Sequence, residues 1–130
     1  MNGLPPPQRV LDASALMAYV WMEPGANAVE IEGSVVSAVN WAEVGQKFAS
    51  RGQDLVHWRA SFAAVGFDVV PFTEAGAEAV AALWARTRAA GLSLGDRACL
   101  ALAAELGVPV VTADRAWAGL DVGVEVVVVR

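Results

Sequence analysis

Short apolar runs alternate along the chain with stretches in which apolar residues recur every three or four positions. The runs predict buried strands at residues 10–11, 34–37, 67–72, 108–112 and 124–129. The periodic stretches predict helices between residues 12 and 23 and at 26–32, 40–49, 53–65, 73–90 and 93–106, with a helical turn at 114–118. The clearest is 73–90, where Val80, Leu83, Trp84 and Thr87 are spaced to share one inner face.

Strands that alternate with helices predict an α/β fold. The predicted strands are continuous Val and Leu runs without polar alternates, which is typical of a mostly parallel sheet covered by helices on both faces. With 130 residues, the chain has room for a single domain. We assign that domain to residues 9–130 and expect residues 1–8, which contain three successive prolines, to form a flexible lead-in. Ligands of such sheets bind beyond the carboxyl ends of the strands.

Composition narrows the class of protein further. No apolar stretch reaches the roughly 18 residues that a membrane-spanning helix needs, and the N-terminus lacks the basic and apolar regions of a signal peptide. The single cysteine, Cys99, excludes an internal disulfide and is expected to be a small buried hydrophobe. We therefore expect a cytoplasmic protein without a membrane partner.

Four acids occupy positions where a parallel sheet would gather them. Asp12 and Asp114 follow strands, whereas Glu43 and Asp96 lie in the first turns of predicted helices. Singly, each has a structural explanation: Asp12 and Asp114 as helix caps, and Asn40–Glu43 and Ser93–Asp96 as capping boxes. Together, they would repel one another unless cations neutralise them. An all-oxygen acidic cluster suits Mg²⁺ or Mn²⁺, and such ions support phosphoryl chemistry.

The net charge of −5 argues at first against a nucleic-acid partner. Setting aside the charges of the four acids leaves −1 on the rest of the chain, and bound divalent cations would reverse the local field. Eight of the nine basic residues are arginines, which bind phosphate in bidentate geometry, and Lys47 is the only lysine. The charge is therefore compatible with a nucleic-acid partner.

Four segments carry a resemblance to a known family: VLDASAL at residues 10–16, VNWAEV at 39–44, LSLGDRACLALA at 92–103 and TADRAW at 112–117. Together they resemble a PIN-domain ribonuclease, and in particular the VapC toxins of bacterial type II toxin–antitoxin pairs. The resemblance extends over residues 10–129. It implies a five-stranded parallel sheet, a homodimer, an RNA substrate and a cognate antitoxin whose peptide lies across the acidic groove.

The resemblance also implies an active site with one or two Mg²⁺ or Mn²⁺ ions. Position by position, it assigns catalytic and metal-binding roles to Asp12, Glu43, Asp96 and Asp114, with Glu43 ligating directly or through water. Ser14 and Thr112 are expected to orient these carboxylates. Many relatives carry a further acid just after the last position, where this chain has Arg115, Ala116 and Trp117, so the sequence does not supply that ligand for a second ion.

Some conspicuous residues keep two interpretations. Arg97 and Arg115 each follow a proposed ligand and either contact RNA phosphate or form ion pairs with the acids. Trp117 is a candidate for base stacking. The only histidine, His57, has no identifiable catalytic partner and is assigned to the surface or to packing.

Two rival functions remain at this stage. A phosphoacceptor signalling domain also clusters acids on a small parallel fold, but it needs a lysine after a late strand, and Lys47 lies on an early helix. The other rival is a catalytically silent PIN-like scaffold that binds RNA or protein. The presence of all four acids argues against the loss of the catalytic site that this rival implies.

Overall fold

The sheet lies at the centre of the fold. A computed structural model describes residues 5–130 of the chain. Five strands pair in the order β3-β2-β1-β4-β5, and all four pairings are parallel. The strands are β1 (Arg9–Leu11), β2 (Ser34–Ser37), β3 (Asp68–Val70), β4 (Val110–Thr112) and β5 (Val126–Val128). The α/β class and the parallel five-stranded sheet are thus confirmed.

Five helices connect the strands. They are α1 (Ala13–Val20), α2 (Ala38–Ser50), α3 (Leu55–Ala64), α4 (Glu74–Thr87) and α5 (Leu94–Leu106). Three single turns of 3₁₀ helix accompany them, at Ala26–Ala28, Arg88–Ala90 and Arg115–Trp117. The order of elements agrees with the predicted order, and most predicted elements are one to three residues too long at an end.

Two hydrophobic clusters cover the two faces of the sheet. Neighbouring residues of a strand point to opposite faces, and accordingly Leu11 belongs to a cluster with Leu16 and Phe48, whereas Val10 belongs to a cluster with Leu100 and Trp117. The first cluster draws on α1, α2 and α3, and the second on α5. The carboxyl ends of β1 and β4, where the chain leaves for α1 and for the Asp114 turn, therefore lie between the two helical layers.

Three expectations about individual elements were wrong. Residues 26–32 contain a single 3₁₀ turn, at Ala26–Ala28, rather than a helix. Helix α2 begins at Ala38, because Ser37 caps it by accepting a hydrogen bond from the Val39 amide at 3.2 Å. Trp84 was expected on the inner face of α4 but is 50% exposed, and the Arg88 guanidinium lies over its ring.

Two further expectations concerned the N-terminal lead-in and the lack of a membrane-spanning helix. Residues 1–4 of the expected lead-in lie outside the described residues, and β1 begins at Arg9. Within residues 5–130 no helix combines the length and the apolar character needed to cross a bilayer.

Candidate active site

Asp12 is a buried carboxylate at the end of the central strand. It caps α1, since its Oδ1 accepts a hydrogen bond from the Ala15 amide at 2.8 Å. The Ser14 hydroxyl donates to both oxygens, at 2.8 and 3.0 Å, and the Thr112 hydroxyl donates to Oδ2 at 2.6 Å. With only 4% of its surface exposed, Asp12 is held in one orientation by donors on both of its oxygens.

Thr112 connects Asp12 to the end of β4. Its hydroxyl donates to Asp12 and accepts a hydrogen bond from the Asp114 amide at 3.0 Å. Ser14 makes a similar link, because its hydroxyl accepts from the Ala113 amide at 2.9 Å. Asp114 itself is exposed, and its Oδ1 caps the following turn by accepting from the Ala116 amide at 2.9 Å. The two hydroxyls thus tie the ends of β1 and β4 together.

Asp96 lies in the first turn of α5, in the expected capping box. Its Oδ2 accepts from the Ser93 amide at 3.0 Å, and the Ser93 hydroxyl accepts from the Asp96 amide at 3.1 Å. The side chain is partly exposed. Structural capping and a position at the edge of the site therefore coexist in this residue, as they do in Asp12 and Asp114.

Glu43 reaches the start of α5 from the neighbouring helix. Asn40 and Glu43 do not form the expected capping box, since Ser37 caps α2 and both residues lie inside the helix. Instead, the Asn40 amide nitrogen donates to Glu43 Oε1 at 2.9 Å and to the Gly95 carbonyl oxygen at 3.0 Å. A Cβ at Gly95 would lie within 2.8 Å of both Glu43 oxygens. The Glu43 carboxylate therefore lies against the backbone that carries Asp96.

The charges of these acids affect the pKa values of two buried groups, the Asp12 carboxyl and the Cys99 thiol. Burial raises the pKa of Asp12 from 3.8 to about 6, against the lowering effect of hydrogen bonds from Thr112, Ala15 and Ser14, and the charge of Asp96 adds to the rise. Burial also raises the pKa of the Cys99 thiol well above its usual value, and the charges of Asp12, Asp96 and Glu43 contribute. Cys99 is fully buried, as expected. Three of the four acids, Asp12, Asp96 and Glu43, thus act electrostatically on the buried Cys99 thiol.

The donor chemistry of this edge fits a hard divalent cation. Asp12 is a buried carboxylate, and the ion pairs of the described residues do not involve it. The four acids offer carboxylate oxygens, the ligands that such ions prefer. However, within residues 5–130 no three acidic, histidine or cysteine side chains are already close enough to ligate one ion. Binding would therefore require the more exposed carboxylates to turn inwards.

The remaining candidate residues differ in their surroundings. Arg97 donates from Nε to the Thr87 hydroxyl at 3.0 Å. Neither Arg97 nor Arg115 takes part in an ion pair of the described residues, so the ion-pair interpretation is wrong there. Trp117 is fully buried in the second cluster, which corrects the expectation that it stacks on a base. His57 is exposed, with the ring of Trp58 at 6.0 Å.

Two residues that the sequence did not identify as part of the site complete the arrangement. Gly95 matters through the space it leaves for Glu43, which depends on a contact between two helices. Asn40 was interpreted as a cap because a spacing of three residues also suits a capping box. The sequence signal for both is only their place within the NWAEV and LSLGDRA segments.

Comparisons with known proteins agree with this fold. The profile of the family described as PIN domain matches residues 9–122. No curated protein matches the sequence. Among solved structures, a toxin–antitoxin complex from Klebsiella pneumoniae has a TM-score of 0.68 at 20% identity, with 87% of this chain and 92% of that chain covered. FitAcB from Neisseria gonorrhoeae has a TM-score of 0.62 at 20% identity, covering 92% and 96%. A protein from Pyrobaculum aerophilum has a TM-score of 0.60 at 17% identity, covering 98% and 88%.

Proposed function

The chain belongs to the PIN-domain family, and from that premise we propose that it is a metal-dependent endoribonuclease that hydrolyses RNA phosphodiester bonds. PIN domains are typically nucleases. In the proposed reaction, water adds to phosphorus, the bond from phosphorus to the leaving oxygen breaks, and that oxygen takes up a proton.

A single observation carries the proposal: a buried carboxylate at the carboxyl end of the central strand, Asp12, has acidic neighbours and no cationic partner in the described chain. Burying such a group without a counter-charge is unfavourable for folding. A bound cation at this edge would remove the penalty, and the retained acid is therefore better explained by function than by stability.

Mg²⁺ or Mn²⁺ ions, one or two per site, would supply Lewis acidity toward the phosphate when bound. The acids Asp12, Glu43, Asp96 and Asp114 would hold them. Ser14 and Thr112 would keep Asp12 oriented, since they donate to its oxygens.

RNA would approach along the start of α5. Arg97 is partly buried beside Asp96, and its Nε bond to Thr87 fixes the guanidinium. Its two terminal nitrogens make no hydrogen bond within residues 5–130 and are free to bind a phosphate in bidentate fashion. Arg115, exposed beside Asp114, is the second candidate phosphate contact.

The biological setting that we propose is that of a VapC-type toxin in the cytoplasm, dimeric and inhibited by a cognate antitoxin. One structural neighbour is described as a toxin–antitoxin complex and covers 87% of this chain. Induced expression in bacteria should arrest growth, and expression of the Asp96→Asn variant should not. Light scattering of the purified protein tests the dimer.

Cleavage of a structured RNA in the presence of Mn²⁺ tests the activity directly. Asp96→Asn keeps the size of the side chain and removes its charge, so cleavage should fall at least a hundredfold. Asp121→Asn, a charge loss at an exposed position of the loop before β5, is the matched control. Equal cleavage by the Asp96→Asn variant and the wild type would rule out the proposed site.

A catalytically silent scaffold is the alternative, and the absence of three gathered ligands within residues 5–130 favours it. Calorimetric titration with Mn²⁺ separates the two functions. A nuclease should bind the ion in the micromolar to millimolar range, and a scaffold should not.

A further inference from the structure

Asn40 joins the helix that carries Glu43 to the helix that carries Asp96. It is 1% exposed, and its Nδ2 is shared between Glu43 Oε1 and the Gly95 carbonyl oxygen, at 2.9 and 3.0 Å. Both partners can only accept hydrogen bonds, so their chemistry fixes which end of the amide faces them. One side chain thus fixes the distance between the Glu43 carboxylate and the start of α5.

The oxygen of the Asn40 amide argues against a purely stabilising role for this residue. Asn40 Oδ1 is buried and has no hydrogen-bond partner in the described chain. An unpaired buried acceptor is unfavourable, and an apolar residue of the same size would avoid it. The two hydrogen bonds that the amide nitrogen donates therefore explain why an amide occupies this position.

Gly95 lies against the same carboxylate. A Cβ there would lie 2.5 Å from Glu43 Oε1, closer than real atoms approach. Its backbone lies in the helix without a positive φ, so no conformational demand explains the glycine. What explains it is the space that the Glu43 carboxylate occupies.

We propose that Asn40 and Gly95 together form a positioning device that holds the Glu43 carboxylate against the first turn of α5, in the orientation needed to bind a divalent cation with Asp96. This inference rests on the proposed function. Asn40 touches neither substrate nor ion in it and acts through Glu43 alone.

Two variants test the device from its two sides. Asn40→Ala removes both donated bonds. Gly95→Ala leaves Asn40 intact and displaces the carboxylate, which can swing away because Glu43 is only partly buried. Ser34→Ala removes a buried hydroxyl at the opposite end of β2, and Gly76→Ala adds a Cβ in the first turn of α4 with ordinary contacts only. These two are the matched controls.

The measurements are Mn²⁺ affinity by calorimetry and thermal stability in a chelator. We expect both test variants to weaken Mn²⁺ binding about tenfold or more, as is usual for residues that orient a ligand, and both controls to stay within about twofold of the wild type. Alanine is the better helix former, so Gly95→Ala should lose affinity while its melting temperature in chelator stays level or rises. A merely structural role would lower stability instead.

A double-mutant cycle with Glu43→Gln tests whether the effect passes through Glu43. In that background, Asn40→Ala should add no further loss of affinity. Wild-type affinity in folded Asn40→Ala and Gly95→Ala variants would overturn the inference and leave the proposed function intact. Absence of Mn²⁺ binding by the wild type would overturn both. If Asn40→Ala does not fold, Gly95→Ala decides alone.

Discussion

Replacement of Asp12 by asparagine should stabilise the metal-free protein at neutral pH. The new side chain would retain the size of the old one and an oxygen for the Ala15 amide, and the Thr112 hydroxyl can accept from its nitrogen after rotating. What the substitution removes is a charge that is 4% exposed and has no cationic partner in the described chain.

The size of the effect follows from the pKa of Asp12, which burial raises from 3.8 to about 6. One pKa unit corresponds to about 1.4 kcal/mol, so the rise corresponds to about 3 kcal/mol in total. The folded state binds this proton more tightly than the unfolded state does. The contribution is therefore fully present below pH 3.8 and is lost as the pH rises through about 6.

Urea denaturation in a chelator, at intervals from about pH 4 to about pH 8, measures this difference. We expect the free energy of unfolding of the wild type, relative to that of Asp12→Asn, to fall by up to about 3 kcal/mol over this range. Asp121→Asn, which alters an exposed acid, is the control and should follow the wild type. Saturating Mn²⁺ should stabilise the wild type and have little effect on Asp12→Asn.

Parallel pH curves for the wild type and Asp12→Asn would refute the reasoning, because they would show that Asp12 has the same pKa folded and unfolded. An Asp12→Asn variant less stable than the wild type at about pH 7.5 would refute it as well. In that case the hydrogen bonds from Ser14, Ala15 and Thr112 would outweigh the burial of the charge.

Three further variants test the surroundings of the acids. Thr112→Val removes the donor to Asp12 and should weaken Mn²⁺ binding about tenfold to a hundredfold, by calorimetry, in a protein that remains folded. Ser93→Ala removes the cap of α5 and should lower the free energy of unfolding by about 1 kcal/mol in urea; no change would mean that the capping box contributes nothing. Trp117→Ala should lower it by about 3–5 kcal/mol, because Trp117 is fully buried; if instead only RNA affinity falls, the tryptophan contacts RNA after all.

The sequence predicted the order of the strands along the chain and the parallel sheet, because short Val- and Leu-rich runs without polar alternates are typical of strands that are buried on both faces. It also placed Asp12 and Asp114 at strand ends correctly, since in both cases the acid follows the apolar run directly or after one residue. These predictions depended on local pattern alone. They needed no knowledge of which helices touch.

The wrong predictions concern residues whose surroundings depend on contacts between segments that are distant in the sequence. Asn40 and Glu43 fit a capping box by spacing, but Ser37 lies where the strand ends and caps the helix first. Trp84 has inner-face spacing, yet α4 packs mainly on α5 and leaves the indole half exposed. Trp117 is in a short turn without periodicity, so its burial in the second cluster had no sequence signal.

Capping and metal binding divide the oxygens of these acids between them. Asp96 uses Oδ2 for its cap, Asp114 uses Oδ1, and Glu43 uses Oε1 for Asn40, so that within residues 5–130 each keeps one oxygen without a hydrogen bond. Asp12 differs, because donors occupy both of its oxygens. A carboxylate oxygen has more than one lone pair and can accept a hydrogen bond while it ligates a cation. Asp12 and Glu43 would thus be the fixed ligands. Asp96 and Asp114 would close on the ion by rotation, which accounts for a donor set that suits a divalent cation before its members are gathered.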